Sequence, residues 1–313
     1  MNAGAAPQSV RLYTHPQCLQ HDPGNGHPES PRRLEAVLSA LEQRFADELP
    51  THLPNPALIE LLEKTHERCL FEQLDACRPS SGIAFIDGDT AMSPGSWQAA
   101  LLAAGAGVAA VDAVIAGDCL RAFCAVRPPG HHATAAQPMG FCLFNNIAVA
   151  ARHARESGFE RVAIADFDVH HGNGTQDIFY RDPSVSYYSS HQSPLYPGTG
   201  DPHETGCGNT HNVGLPSGSG SIEFRHAWSQ TLLPAMRAFA PDLVLISAGF
   251  DAHYLDPLAG LAVTTEDFRW LSKALCEVAE QSAHGRVISM LEGGYSSTAL
   301  AECAVAHVEA LMS

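Results

Sequence analysis

Five short apolar runs divide this chain, and segments with helical patterns separate them. The runs occupy residues 122–126, 162–165, 185–188, 243–247 and 287–291. Short apolar runs that alternate with helices are typical of a mostly parallel sheet with helices on both faces, so we expect an α/β fold. No linker, internal repeat or low-complexity tract is evident, and we therefore expect one domain over residues 1–313.

Seven segments carry the helical patterns. They are residues 30–45, 56–74, the alanine-rich stretch after Trp97, and residues 145–158, 221–240, 264–285 and 297–312. In the first of them, Ser30 can cap the helix and Pro31 suits its first turn. The alanine-rich stretch holds the longest apolar run, which starts at Ala99 and is broken by Asp112. We interpret that run as a buried helix rather than a membrane span.

The charge of the chain argues against two kinds of partner. Eighteen lysines and arginines against thirty-four aspartates and glutamates give a formal net charge of −16. A nucleic acid or an anionic membrane surface would require the opposite sign, so we expect neither. An acidic surface attracts cationic substrates, although the same acidity also keeps a protein soluble. The sequence leaves a homo-oligomer open.

The cysteines indicate a reducing compartment. There are nine of them, an odd number, and they are scattered without a CxxC pair. This favours reduced and mostly buried thiols in a cytoplasmic protein. The first residues, MNAGAAPQSV, lack a basic segment and an apolar core, so we expect no signal peptide.

Chemically reactive residues follow each of the five apolar runs. In chain order these loops read RPPGHH, DFDVHHGNG, SSHQ, AGFDAHYLD and EGGY. In an open parallel sheet, ligands bind beyond the carboxyl ends of the strands. Because five such ends carry ionisable, hydroxyl or glycine-rich loops, we predict a catalytic centre on this edge of the sheet.

The loop DFDVHHGNG suggests a metal site. Asp166, Asp168 and His170 alternate with apolar residues, so in an extended backbone their side chains point the same way. A polar strand end is the other interpretation. Asp168 and His170, with Asp256 from a neighbouring strand end, would leave one position open, as in catalytic zinc sites. The same donors accept iron(II) or manganese(II), and Asp251 and His253 are nearby candidates.

Two further loops offer acid–base and electrostatic groups. Because an imidazole ordinarily titrates near neutrality, the tandem histidines His131 and His132 can include a general base. Tyr295, after two glycines, can donate a hydrogen bond to a developing oxyanion. Packing histidines and a core tyrosine are the alternatives to these functional roles.

Seven motifs resemble those of one known family. They read GHPESPRRLEAV, RPPGHHA, MGFCLFNNIAVAA, DFDVHHGNGTQDIF, YPGTGD, SAGFDAHYLDPLAG and LEGGYS. The set is similar to the histone deacetylase superfamily, particularly its class II-like members and the bacterial histone deacetylase-like amidohydrolases, from about His27 to Ser296. The resemblance implies the arginase/deacetylase fold with an eight-stranded parallel sheet. It also implies hydrolysis of acetyl-amides of lysine side chains or polyamines with one catalytic metal ion, zinc.

The resemblance implies roles for individual residues. It makes Asp168, His170 and Asp256 the metal ligands, His131 and His132 the catalytic histidines, Tyr295 the oxyanion donor, Phe141 and Tyr196 the channel walls, and Gly140 a backbone contact to the substrate amide. It implies a potassium site at Asp166 and Ser189 with the backbones of Asp168, His170 and Ser190. Asp166 would then orient His131 without being a ligand of the catalytic metal.

Asn173 resembles the class II type, because some other family members have aspartate there. A neutral amide orients His132 without raising its basicity as a carboxylate would. We therefore expect His132 to stay neutral more readily near pH 7.

Leu258 bears on the substrate. In one subgroup of polyamine-selective relatives a glutamate stands at this point and attracts the distal ammonium of a polyamine. With leucine there, we predict a preference for acyl-lysine in a peptide or protein. Alternatively, Leu258 merely packs the loop and a carboxylate from Asp87 or Asp89 is the gatekeeper.

Three other functions stay open at the level of the sequence. An acetylpolyamine deacetylase would use the same chemistry. A binuclear-manganese ureohydrolase shares the fold but needs more bridging carboxylates, where this chain has His253 and the HHG run. A non-catalytic protein that binds acetylated ligands would not need Tyr295 and both histidines.

Overall fold

The computed structural model describes residues 8–313, which contain ten strands. They are β1 (Gln8–Tyr13), β2 (Thr51–His52), β3 (Ala84–Phe85), β4 (Ala91–Met92), β5 (Cys119–Cys124), β6 (Val162–Asp166), β7 (Val185–Gln192), β8 (Thr210–Leu215), β9 (Leu243–Ala248) and β10 (Val287–Leu291). Eight of them form one sheet in the order β2-β1-β5-β10-β9-β6-β7-β8, and all its neighbours pair in parallel. β3 and β4 form a small antiparallel pair. The predicted parallel, eight-stranded sheet is confirmed.

The five predicted runs form the middle of this sheet. They correspond to β5, β10, β9, β6 and β7, which are adjacent to one another. Nearly all of their residues are buried, and such strands read as continuous apolar runs. The strands β1, β2 and β8, which the sequence did not reveal, lie toward the two edges. In β8 buried residues are interspersed with half-buried ones, so no apolar run marks it.

Ten α-helices lie in the described part of the chain. They are α1 (Pro31–Phe45), α2 (Ile59–Leu62), α3 (Arg68–Ala76), α4 (Ser96–Ala116), α5 (Asn146–Glu156), α6 (Asn173–Phe179), α7 (Ser221–Ala227), α8 (Leu233–Phe239), α9 (Thr265–Ser282) and α10 (Ser297–Met312). α10 packs between α1 and α9, whereas α4 packs against α5. Both groups contact strands of the large sheet, and their apolar side chains join the strands in one core.

The longest helix, α4, contains an 18-residue window of mean hydropathy 2.0, enough in length and composition to cross a membrane. Of that window, 72% is buried inside the fold. A helix that is apolar all round and enclosed by protein is a core helix. The prediction of a buried helix here is confirmed.

Residues 56–74 form two short helices instead of the single helix that we predicted. α2 ends at Leu62 and α3 begins at Arg68. Between them the buried His66 has its Nδ1 2.9 Å from the carbonyl oxygen of Thr134, and its Nε2 accepts from the backbone N–H of Asn145 at 2.9 Å. These contacts hold His66 against segments that are distant along the chain. The local periodicity of the sequence could not predict them, and so it could not predict the break in the helix.

Residues 221–240 also depart from a single regular helix. A π-helical turn at Trp228–Leu232 separates α7 from α8. Pro234 follows this turn, and a proline has no N–H to donate to a preceding carbonyl. The cause of the interruption, the proline at position 234, is therefore visible in the sequence.

All nine cysteines are free, and six of them are buried. Residues 1–7, which begin the segment behind the expectation of no signal peptide, lie outside the described residues. The expectation of one domain over residues 1–313 stays a prediction.

Candidate active site

Four of the five predicted loops follow adjacent parallel strands and meet at one edge of the sheet. The fifth, SSHQ, is not a loop: it forms the last four residues of β7, because these residues pair with β8. A cavity of about 230 Å³ opens there. Its walls are Asp89, His132, Gly140, Phe141, His170, Leu195, Tyr196, Leu258 and Tyr295. Asp89 and Leu195 are the lining residues that were not among the predicted site residues. The sequence offers Asp89 only as an alternative gatekeeper.

A close group of atoms that could hold a metal ion lies beside this cavity. Among the described residues, Asp168, His170 and Asp251 each place one such atom within 4.8 Å of the others. His170 Nδ1 is 3.2 Å from Asp168 Oδ1 and 3.1 Å from Asp251 Oδ2. The close group thus includes Asp251, which the sequence offers only as a nearby candidate, in place of Asp256.

Asp256, the predicted third ligand, lies beside this group and carries other contacts. Its Oδ2 accepts from the backbone N–H of Tyr295 at 2.7 Å and of Ser296 at 3.3 Å. Its Oδ1 accepts from the backbone N–H of Leu258 at 3.0 Å. Asp256 therefore connects the loop after β9 to the loop that carries Tyr295, and its role as a ligand stays a prediction.

The charges of these residues fit a metal cation. Asp168, Asp251 and Asp256 are buried, and their ion pairs within residues 8–313 involve only histidine. Burial and the charge of Asp168 raise the pKa of Asp251 to about 7, and burial raises the pKa of Asp256. A divalent cation among them would favour their charged forms. Carboxylate oxygens and one imidazole accept zinc, iron(II) or manganese(II).

The tandem histidines have different partners. His131 Nδ1 lies 3.0 Å from Asp166 Oδ2, and its Nε2 lies 3.8 Å from Asp168 Oδ2. Burial opposes the charge of His131, but Asp166 and Asp168 outweigh it and hold its pKa well above the ordinary value. Burial and the neighbouring charge of His131 hold the pKa of His132 well below the ordinary value of a histidine. The two environments therefore favour the charged form of His131 and the neutral form of His132.

The orientation of Asn173 fixes the tautomer of His132. Asn173 Nδ2 donates to the sulfur of Met139 and to the carbonyl of His132, each at 3.4 Å. Its Oδ1 therefore faces His132 Nδ1 at 2.8 Å and accepts the proton there. His132 Nε2 keeps a lone pair, as a general base requires.

Aromatic rings form the walls of the cavity. The ring centroid of Tyr196 is 5.2 Å from that of His132, and the centroid of Phe141 is 6.0 Å from that of Tyr295. The Arg33 guanidinium lies over the Tyr295 ring at 4.8 Å. Burial raises the pKa of Tyr295 well above its ordinary value, so the phenol keeps its proton.

Gly140 lets the backbone pass close to the imidazole ring of His132. Its φ is +57°, in the left-handed region. A Cβ atom there would lie 2.6 Å from Cδ2 of His132. Any larger residue would displace the imidazole or the loop, so glycine is required at this wall of the cavity.

The predicted potassium-site residues lie behind the metal-binding group. Asp166 and Ser189 are partners in the β6–β7 register. Asp166 Oδ2 accepts from the Tyr187 hydroxyl at 2.9 Å, and Ser190 Oγ accepts from Trp228 Nε1 at 2.9 Å. The potassium itself stays a prediction.

The EGGY loop interlocks with the acidic residues more than its sequence suggested. The N–H of Gly293 donates to Asp168 Oδ2 at 2.8 Å. A Cβ at Gly293 would lie 2.2 Å from Asp251 Oδ2. Only Tyr295 of this motif was assigned a role from the sequence, because the partners of its other residues are far away along the chain.

A larger cleft of about 730 Å³ opens on the other side of Asn173. Most of its lining residues are polar or charged, and two of the charged ones, Arg152 and Asp182, form an ion pair at 2.6 Å. The smaller cavity is lined by the imidazoles of His132 and His170 and by the Tyr295 phenol, and His170 connects it to the carboxylates of Asp168 and Asp251. We therefore place the candidate chemistry in the smaller one.

Comparison with protein families gives one match over most of the chain. The model of the histone deacetylase domain matches residues 27–311. Histone deacetylase 10, chloroplastic, of Oryza sativa subsp. japonica is 42% identical over 311 residues, which cover 92% of this chain and 70% of that protein. The histone deacetylase-like amidohydrolase of Pseudomonas aeruginosa is 40% identical over 297 residues, which cover 91% and 77%.

A solved structure supports the same relation. The crystal structure of the HDA15 HD domain superposes with a TM-score of 0.91 at 35% sequence identity. The match covers 98% of this chain and 89% of that one.

Proposed function

Because this chain belongs to the histone deacetylase family, we propose that it hydrolyses the acyl-amide of acylated lysine side chains or related acetylated amines, with one catalytic metal ion. Deacetylase and amidohydrolase relatives support an enzyme. The observation that carries the proposal is the convergence of His132, His170 and Tyr295 on one small cavity with aromatic walls. Acetate and a free amine are the products.

The metal-binding residues would hold zinc, or iron(II) or manganese(II) in its place. Asp168 and His170 are supported as ligands both by their spacing in the sequence and by the close group of atoms. Asp256 would be the third ligand. Asp251 contacts the His170 ring. When bound, such an ion supplies Lewis-acid polarisation of the acyl oxygen and a lowered pKa for water. The proposed potassium at Asp166 and Ser189 would be structural.

The residues of the chain then provide proton transfer and charge stabilisation. His132 Nε2 accepts a proton from the attacking water, and Asn173 keeps the Nδ1 proton in place. His131 is held by Asp166, which stabilises its charged form. The Tyr295 hydroxyl donates to the oxyanion, and a protonated imidazole gives its proton to the leaving amine. Phe141 and Tyr196 exclude water from the chain of the substrate.

The preferred substrate in this proposal is acyl-lysine in a peptide or protein. Leu258 is an apolar side chain at the cavity and would let a peptide backbone lie across the rim. The second candidate is an acetylpolyamine, and Asp89 favours it, because this carboxylate lines the same cavity. The free cysteines support a cytoplasmic location.

The test of the function combines a substrate panel with metal removal. We expect hydrolysis of acyl-lysine peptides, one divalent ion per chain by elemental analysis, and loss of activity in a chelated sample and in Asp168→Ala or Asp256→Ala. Asp182→Ala, which removes a carboxylate outside the cavity, is the control and should keep its activity. Full activity of the metal-free protein would contradict the proposal.

A further inference from the structure

Glu292 is a buried acid that the proposed chemistry does not use. It opens the EGGY motif and is 1% exposed. Burying a carboxyl group is costly unless hydrogen bonds compensate for the lost water. Its contacts therefore indicate why an acid stands at this point.

The Glu292 side chain connects two loops of the candidate active site to strand β9. Its Oε2 accepts from the backbone N–H of Gly130 at 2.6 Å and from that of His131 at 3.2 Å. Its Oε1 accepts from the Ser247 hydroxyl at 3.2 Å. One carboxyl group thus joins the segments that follow β5 and β10 to the end of β9.

The backbone of Glu292 is itself fixed on both sides. Its N–H donates to the carbonyl of Ala248 at 3.0 Å. Its carbonyl accepts from the Arg33 guanidinium, which also donates to the carbonyl of Gly294 at 2.6 Å. The carboxyl group is therefore presented from an anchored position.

The backbone of His131 is held from two directions. Glu292 accepts from its N–H, while its carbonyl accepts from the N–H groups of Gly174 and Thr175 at 3.0 and 3.1 Å. The side chains of His131 and His132 extend from this segment toward Asp166 and Asn173. A shift of the segment would lengthen both of these hydrogen bonds.

We propose that Glu292 is a positioning residue for the tandem histidines. By accepting the N–H groups of Gly130 and His131, it holds the segment from which both imidazoles reach their partners. The inference rests on the proposed function for its meaning in catalysis. The geometric part, that Glu292 maintains the two imidazole hydrogen bonds, is testable without any substrate.

The role does not depend on the charge of Glu292. Burial raises the pKa of this carboxyl to about 7, against the opposing effect of His131. In the charged form both oxygens accept. In the protonated form the hydroxyl can donate to Ser247 Oγ, while the other oxygen still accepts the two N–H groups.

Two substitutions separate the hydrogen bonds from the volume of the side chain. Glu292→Gln can turn its carbonyl oxygen to the two N–H groups and its amide to Ser247 Oγ, so we expect kcat near that of the original protein. Glu292→Leu fills the space without an acceptor. We expect its kcat to fall by about 10²-fold, as misplaced catalytic groups do, with KM nearly unchanged because Phe141 and Tyr196 still form the walls.

The control is Asp267→Ala, which removes another fully buried carboxylate. Asp267 binds Ser221, Thr264 and Arg225 at the start of α9 and does not line the cavity. We expect it to lower the stability of the protein while keeping kcat.

The second readout is NMR of the downfield imidazole N–H signals of His131 and His132, on ¹⁵N-labelled proteins with equal metal content. We expect both signals in the original protein and in Glu292→Gln, and rapid exchange or loss in Glu292→Leu. If Glu292→Leu does not fold, Glu292→Ala at low temperature takes its place. Ser247→Ala removes only the Oε1 contact and should keep both signals.

The outcomes separate this inference from the proposed function. Unchanged signals and kcat in folded Glu292→Leu would overturn the inference. An equal loss of kcat in Asp267→Ala at matched stability would also overturn it, because a general structural effect would then suffice. If the original protein hydrolyses none of the amides, the proposed function fails, and the NMR signals alone decide the positioning role.

Discussion

At the scale of single residues, neighbouring groups of the same type acquire different properties. His131 and His132 are adjacent, and their ring centroids lie 4.0 Å apart. Two carboxylates raise the pKa of the first ring against the effect of its burial, whereas burial and the charge of the first ring lower the pKa of the second. One imidazole that holds a proton and one that accepts a proton are the two roles that amide hydrolysis requires.

Tyr295→Phe tests the oxyanion donor. The change removes one hydroxyl from the cavity and leaves the ring under the Arg33 guanidinium. Such donors contribute about 10²–10³ in rate, so we expect kcat to fall on that order with KM largely kept. Steady-state kinetics on an acetyl-lysine peptide measure the effect, and the exposed Tyr254→Phe is the control. An unchanged kcat would assign Tyr295 a packing role.

Leu258→Glu tests the gatekeeper. We expect the original protein to have a higher kcat/KM for acyl-lysine peptides than for N-acetylputrescine or N8-acetylspermidine, and the variant to shift this ratio toward the polyamines. Asp89→Asn should shift it the other way if that carboxylate attracts the distal ammonium. A tenfold preference of the original protein for acetylpolyamines, about 1.4 kcal/mol in transition-state binding, would contradict the prediction.

At the scale of elements, the sequence predicted the central strands better than the strands toward the edges and better than the contacts between loops. The central strands were recognisable because burial on both faces produces apolar runs, and their loops followed from where such runs end. The choice between Asp251 and Asp256 was not decidable from spacing, because both lie in one irregular loop. The role inferred for Glu292 was invisible for another reason. Its partner Gly130 is 162 residues away along the chain.

His66→Leu tests the interruption between α2 and α3. The change leaves the N–H of Asn145 without its acceptor at the start of α5. A buried unpaired donor costs about 1–3 kcal/mol, so we expect the free energy of unfolding to fall by that amount. Denaturant titration measures it, with the exposed His203→Leu as the control. Equal stabilities of the two variants would show that His66 does not hold this junction.

At the scale of the whole molecule, buried neutral histidines make the fold sensitive to acid. Burial lowers the pKa of His66 and His191 to about 4, and that of His307 to about 3. In the unfolded chain these groups titrate near 6.5, so the unfolded state binds more protons below that pH. Stability is therefore lost as the pH falls from about 6.5 toward 4, by up to about 1.4 kcal/mol per pH unit for each histidine.

His307→Gln tests this sensitivity. His307 lies among the rings of Phe123, Phe167 and Phe250, with its nitrogens 2.6 Å from Ser272 Oγ and 2.8 Å from Ser289 Oγ. Glutamine can bond to one of these hydroxyls but does not titrate. We expect the loss of unfolding free energy between pH 7 and pH 5 to be about 2 kcal/mol smaller in the variant. An identical pH dependence of denaturant unfolding would contradict this assignment.

The position of β10 in the sheet has a consequence for how this protein folds during its synthesis on the ribosome. β10 is the last strand in the chain, yet it lies between β5 and β9 and pairs with both. Until residues 287–291 leave the exit tunnel, the nascent chain holds two separate half-sheets, each with an unpaired apolar edge. Such edges are prone to aggregate. We therefore expect chaperones to bind these two edges during synthesis, until β10 emerges and pairs with both of them.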